Sequence, residues 1–248
     1  MADVLLLIVG GMFAGVVNTM AGGGSVLTVP LLVLSGVPGT AANGSNRVGV
    51  LTSSIAAYIA FHRQGQLVDR PLLARVLPVA LLGVASGSIA VSQLSDAGFE
   101  RLFGFLMIPI VIFSVLRPGS ESSGVAWSTT RYRVVFFAIG LSAGAIQAGV
   151  GLILLAALGR SGMDLVSANV VKVVFTAVAT LIALPVFIYH NDVRWLPGLA
   201  LAAGLSLGAF VGARITVRGG ERAVRIAMAL AAALLGLRLL GLSDWIAG

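Results

Sequence analysis

The chain has no cysteine, a single lysine and little charge of any kind. Without cysteine it can form no disulfide, thiolate nucleophile or cysteine metal site. Asp, Glu, Lys and Arg make up 10% of its 248 residues, whereas a soluble domain carries about 25%. That is too little charge to wet a globular surface, so a soluble enzyme, a disordered tail and a disulfide scaffold are all excluded. Acid is the scarcer sign, with 9 Asp and Glu against 16 Lys and Arg. None of the acids falls deep inside an apolar run, which disfavours cation transport and carboxylate proton relays. No HExxH and no meaningfully spaced Ser/His/Asp set is present.

What is present is apolar. Hydrophobic residues make up 58% and the mean hydropathy is +1.04. The class is an all-α, polytopic helical membrane protein, with length for roughly seven to nine crossings of about 20 residues each. A net charge of +7 on a soluble protein would suggest nucleic acid as a partner. Here the arginines lie mostly in short loops between apolar runs, where they set topology. The bilayer is therefore the expected partner, and nucleic acid is not. The start, Met1-Ala2-Asp3-Val4, lacks the basic region of a cleaved signal peptide, so the first run reads as a retained helix.

The runs follow an order. Val4 to Met20 ends at Ala21-Gly22-Gly23-Gly24-Ser25, and a stretch too short to span follows, Val26 to Leu34. A turn-rich loop from Ser35 to Asn43 leads into Gly44 to Phe61, then Pro71 to Val91 and Phe99 to Leu116. Residues 117–133 are polar and form a linker. The second half repeats these events: Val134 to Ala148, a break at Gly149 and Gly151, and a short stretch from Leu152 to Leu158. Longer helices follow at Val166 to Tyr189, Trp195 to Val217 and Ala223 to Leu240.

The halves align in order. Gly15 and Gly144 are 129 positions apart, as are Gly22 and Gly151. After a shorter loop, Arg47 and Lys172 are 125 apart, as are Gly83 and Gly208, and Gly87 and Gly212. The pattern is that of a duplicated transporter. It divides the chain into a first membrane repeat, 1–116, a cytoplasmic linker, 117–133, and a second membrane repeat, 134–248, with about 8–10 helical elements in all. Arginines cluster after Phe61, in the linker, and around Arg214, Arg218, Arg222 and Arg225. Those loops should be cytoplasmic, which makes the two repeats inverted in the membrane.

Two features point to chemistry. The glycine breaks at Gly22, Gly23 and Gly24 and at Gly151 free backbone N–H groups at membrane depth, as suits a cavity lining and an anion. Close helix packing through small residues is the competing explanation. Asn18, Ser25 and Gln147 lie beside the breaks. The second feature is the pair Arg47 and Lys172, each expected in the first turns of a long helix and flanked by polar residues. Asn43, Ser45 and Asn46 accompany Arg47, and Asn169 accompanies Lys172. A cation inside a membrane helix is a functional hypothesis by default, and near a helix N-terminus the dipole disfavours it. An anionic substrate would offset both effects; snorkelling to a headgroup is the alternative. His62 and His190 sit at helix ends and read as interfacial.

The segments Phe13 to Ser25, Thr28-Val29-Pro30 and Ala42-Asn43-Gly44-Ser45-Asn46-Arg47 resemble the first-repeat signature of the TauE/SafE sulfite exporter family, also called toluene-sulfonate uptake permeases. The second repeat keeps Lys172 in Asn169-Val170-Val171-Lys172 but lacks the hydroxyl residue the family often has there. The resemblance implies a transporter of small oxyanions such as sulfite, organosulfonates or related carboxylated anions, in a bacterial inner membrane. It would work by alternating access at a midplane site and would not be an enzyme. No cofactor and no metal is called for. A small anion is the expected partner, with a second copy of the chain as a further one. An anion channel is the main competing reading, and an intramembrane enzyme or a structural membrane protein are weaker ones.

Overall fold

The computed structural model describes residues 2–116 and 128–219. The expected last helix at 223–240 and linker residues 117–127 lie outside the described residues. Among the described residues all regular structure is helical. The elements are α1 (Ala2–Ala21), α2 (Ser25–Leu34), α3 (Gly39–His62), α4 (Arg70–Val91), α5 (Asp96–Leu116), α6 (Thr129–Ala145), α7 (Val150–Arg160), α8 (Leu165–Tyr189) and α9 (Trp195–Val217). Four described helices are long and apolar enough to cross a membrane: α1, α4, Val166–Tyr189 within α8, and α9. Large apolar side chains such as Leu5, Leu82, Phe105 and Leu207 are exposed on the outside of the bundle, which suits a lipid-facing surface.

Several boundaries differ from the sequence expectation, among them the start of α5 at Asp96 and both ends of α7; three have a plain local cause. Helix α3 begins at Gly39 after Pro38, not at Gly44, so Asn43 is helical. Proline pre-sets the backbone ahead of a first turn, and this outweighs the turn residues around it. Helix α6 begins at Thr129, because the Ser128 side chain accepts from Arg131 N and caps it; the expected linker therefore stops short of Arg133. Helix α6 also ends at Ala145 rather than Ala148, because Gln147 takes a left-handed φ of 61°.

The first short helix turns back. A Cβ on Gly10 would lie 2.8 Å from Leu31 Cδ1, and one on Gly24 would lie 2.6 Å from the Ala14 carbonyl oxygen. Helix α2 therefore runs antiparallel along α1 and does not continue its crossing. The most extensive helix–helix contacts are α1 with α9 and α4 with α6. Both pairs run parallel. Gly204 and Gly208 of α9 face the Ile8 and Met12 carbonyls of α1, and Gly140 and Gly144 of α6 face the Ala80 and Val84 carbonyls of α4. Would-be Cβ atoms at these four positions come within 2.0 Å of backbone oxygen, so only glycine permits this approach.

Loop contacts sort the ends. Thr40 donates to Asp96 through its amide at 3.0 Å and its hydroxyl at 2.6 Å, tying the start of α5 to the start of α3. These bonds hold the Asp96 carboxyl below its ordinary pKa. Arg194 N donates to Ser45 Oγ at 2.8 Å, which brings the 190–194 turn to the same end. The start of α4 and the parallel start of α6 lie at the other end, with Arg63, Arg70 and Arg75.

The packing makes a prediction. Gly208→Leu would drive a side chain into the Met12 carbonyl. It should destabilise the protein by about 3 kcal/mol, read as a lower melting temperature in detergent. Gly104→Ala, where a Cβ meets nothing within 4 Å, should leave that temperature unchanged.

Candidate functional site

Two helices stop inside the bundle, α1 at Ala21 and α6 at Ala145. The first break turns on Gly22 at φ 83°, the second on Gln147 at 61° and Gly149 at 73°. The breaks abut. A Cβ on Gly22 would lie 2.4 Å from the Gly151 carbonyl carbon, and one on Gly151 would lie 2.5 Å from Gly22 Cα. Gln147 carries a full side chain in a conformation that usually favours glycine, a mark of local strain.

A helix end leaves carbonyls without intrahelical partners, and at membrane depth water does not serve them. Two cations do so here, each reaching across from the other half of the chain. Lys172 Nζ donates to the carbonyls of Asn18 (2.8 Å) and Thr19 (2.7 Å) and to Asn169 Oδ1 (2.5 Å). These acceptors take all the ammonium protons. Asn169 Nδ2 adds a bond to the Met20 carbonyl at 3.2 Å. Arg47 treats α6 in the same way, donating to the carbonyls of Ala143 at 3.1 Å, Gly144, and Ala145 at 3.4 Å. Asn43 Nδ2 adds a bond to the Ala145 carbonyl at 2.8 Å. The guanidinium also lies 4.3 Å from the Phe187 ring centroid.

This geometry revises the electrostatic expectation. Neither cation sits in the first turn of its own helix, because α3 starts at Gly39 and α8 at Leu165. Each instead meets the C-terminus of another helix, where the dipole favours positive charge. Neither snorkels: Arg47 is 0% exposed and Lys172 3%.

Between the breaks lies a narrow, partly open cavity of about 20 Å³, lined by Asn18, Gly22, Ser25, Gln147, Gly151 and Lys172 among others. That volume admits roughly one water. Six of the expected site residues thus converge on one point. The others do not line it. Gly24 N donates to Asn18 Oδ1 at 3.2 Å and so aims that side chain, and the Gly23 carbonyl accepts from Val26 N at 3.1 Å. Asn46 Oδ1 accepts from Thr28 Oγ1 at 2.6 Å. Ser45 faces the 190–194 turn. Asn43, Arg47 and Asn169 hold the helix ends already described.

Sequence reasoning missed Ser54 and Thr176, which line the cavity, and Thr180, whose Oγ1 accepts from Gln147 Nε2 at 2.6 Å. A signal existed. Arg47, Val50 and Ser54 recur at helical spacing on α3, as do Lys172, Thr176 and Thr180 on α8. Among the described residues, four buried polar atoms have no hydrogen-bond partner: Asn43 Oδ1, Asn46 Nδ2, Arg47 Nε and Gln147 Oε1. All belong to expected site residues. No group of three or more His, Cys, Asp or Glu able to hold a metal exists among the described residues.

Glycine-broken helices abutting at a buried cation, within a bundle of long apolar spans, define a multi-pass membrane transporter. The family profile described as "Sulfite exporter TauE/SafE" matches residues 7–239, and the chain belongs to that family. It is 26% identical to a "Probable membrane transporter protein" of Haemophilus influenzae, over 87% of this chain and 86% of the relative. It is also 26% identical to "Probable membrane transporter protein ORF9" of Sinorhizobium sp, over 94% of this chain and 91% of the relative. The "Probable membrane transporter protein YfcA" of Escherichia coli K12 is again 26% identical, over 92% and 86%. No solved structure matches the chain.

If the cations cap broken helices, their loss should be felt without substrate. Lys172→Met would leave the Thr19 carbonyl unmet, the Asn18 carbonyl keeping its bond from Gly22 N, and should lower stability by about 2 kcal/mol, measured by thermal unfolding in anion-free buffer. An unchanged melting temperature would refute the capping role.

Proposed function

We propose that this transporter carries small oxyanions, such as sulfite, organosulfonates or related carboxylated anions, at the point where the two breaks meet. One observation carries the reading: among the described residues, the charged group in the cavity wall is the Lys172 ammonium, and no acidic residue is in the lining. A low-dielectric cavity with a cation and no carboxylate favours an anion. Asn18, Ser25, Ser54, Gln147 and Thr176 are the polar neighbours that would supply hydrogen bonds.

Room for about one water is too little for an oxyanion, so the helices must part to admit one. As they part, the anion competes with the Asn18 and Thr19 carbonyls for the ammonium. Substrate binding is in this way linked to release of the end of α1. Alternating access between inverted repeats is the proposed framework. It draws support from the equivalent parallel packing of α1 on α9 and α6 on α4, and from the meeting of Gly22 with its counterpart Gly151. The arginine-rich end is assigned to the cytoplasm by the excess of basic residues in its loops. For export, an inside-negative potential contributes about 2.3 kcal/mol per charge per 100 mV, so a monovalent anion needs no coupled proton. The printed family description, which names sulfite, favours sulfur oxyanions within this class.

Purified protein in liposomes should show saturable sulfite or sulfonate flux and counter-exchange. Lys172→Gln should lower that flux at least tenfold. Wild-type flux in both Lys172→Gln and Arg47→Gln would sink the anion site, and flux that neither saturates nor exchanges would identify a channel. For topology, the natural chain lacks cysteine. His190→Cys should label with an impermeant maleimide from outside the cell, and Leu67→Cys only after permeabilisation; the reverse pattern would overturn the orientation.

A further inference from the structure

The two breaks present opposite ends of the same functional group. Asn18 and Gln147 each carry a side-chain amide, are 129 positions apart at matching places in the two halves, and both line the cavity. The Asn18 amide oxygen accepts from Gly24 N at 3.2 Å, which leaves its nitrogen, a donor, for a ligand. The Gln147 amide is held the other way round. Thr180 Oγ1 donates to the Thr176 carbonyl at 2.7 Å. A hydroxyl has one proton to give, so toward Gln147, at 2.6 Å, Thr180 can only accept. The Gln147 nitrogen therefore faces Thr180, and its oxygen is the free end.

That oxygen is a buried acceptor with no hydrogen-bond partner, on a side chain that is 95% buried (5% exposed). An unmet buried acceptor is costly, and so is the left-handed φ of 61° at the same residue. Glycine, which takes φ 83° at Gly22 in the first break, would remove both costs. The side chain persists against two penalties, as befits a group that meets a ligand. Lys172, Ser25, Ser54 and Thr176 complete the polar lining with Asn18 and Gln147. The ammonium only donates, and a hydroxyl donates or accepts as it turns. Among these side-chain atoms, Gln147 Oε1 is the one that is both unengaged and restricted to accepting.

We propose, resting on the reading of this cavity as the anion site, that the substrate is a monoanion carrying an O–H donor, which Gln147 Oε1 accepts while the charged oxygens meet Lys172 Nζ and Asn18 Nδ2. Singly protonated oxyanions have this chemistry, and so do sulfonates with a hydroxyl close to the head. A fully deprotonated oxyanion or a plain alkanesulfonate offers only acceptors. It would set oxygen against the Gln147 oxygen and leave that oxygen unmet. A site built to hydrogen-bond a substrate donor rejects the analogue lacking it far more strongly than an apolar pocket rejects a change of size. Gln147 is then the specificity-determining residue, and Thr180 the residue that positions it.

The test is isothermal titration calorimetry of the full chain in detergent, in mildly acidic buffer, with two matched pairs of monoanions. Methylphosphonate keeps one P–OH there, whereas methanesulfonate has the same shape and charge and no donor. 2-Hydroxyethanesulfonate and propanesulfonate differ only by a terminal hydroxyl in place of a methyl. The donor-bearing member should bind at least tenfold tighter in one pair or both. The first pair reports a donor on the head group, and the second a donor on the tail. Gln147→Met should abolish the preference. Thr180→Val, which frees the amide to turn, should weaken it, and Thr180→Ser should keep it. Equal or reversed affinity within both pairs, as would follow if water met Gln147 Oε1, overturns this inference and leaves the anion site standing. Binding of none of the four removes the anion site and this inference with it. A preference unchanged in Gln147→Met also overturns it. The wild-type comparison stands even if a variant fails to fold.

Discussion

The structure depends on one constraint: a helix that ends inside a bilayer must find partners for its last carbonyls. Helices α1 and α6 both end that way. Water cannot reach them freely, and neither break carries a Schellman-type cap able to meet every carbonyl. The partners are the two cations in the interior of the described bundle, each supplied by the opposite half of the chain. Lys172 holds the end of α1 and Arg47 holds the end of α6. Each half is thus completed by the other, and the neighbourhood of the cavity is polar for a structural reason before it is polar for a substrate.

On the proposed function, this dual role lets a site be built from so little charge. An ammonium whose three protons are already shared with oxygen acceptors is stable without substrate. It becomes available to an anion only by giving up a carbonyl. Arg47 differs in chemistry: it spans three carbonyls with its planar fork, and still has an unmet Nε. The pair is equivalent by position and unequal by side chain. That agrees with a second break that is itself less regular than the first, using strained Gln147 where the first uses Asn18 and a run of glycines.

Close packing supplies the rest. The parallel contacts of α1 with α9 and α4 with α6 bring backbones together through glycine, and carry the broken helices on longer neighbours. In a bilayer, where apolar burial drives little helix association, such contacts and interhelical hydrogen bonds do most of the holding.

Much of this was legible in the residues. Composition alone excluded a soluble protein. The order of glycine breaks, short runs and polar positions marked two halves, and the scarcity of intramembrane charge left Arg47 and Lys172 as the leading candidates. Asn18, Gly22, Ser25, Gln147, Gly151 and Lys172 were named from sequence and meet at one cavity. What the sequence could not supply was direction and partnership. Whether α2 returns along α1 depends on Leu31 packing against Gly10, and the partners of Lys172 lie more than 150 residues away in α1. A cation read along its own helix seemed misplaced near an N-terminus, and only its three-dimensional neighbour, the C-terminus of another helix, makes the placement favourable. The sequence by itself determined the class, the family and the inventory of polar groups, because these follow from local composition and spacing. The tertiary structure decided which charge meets which helix end, because that is set by long-range packing that no local pattern encodes.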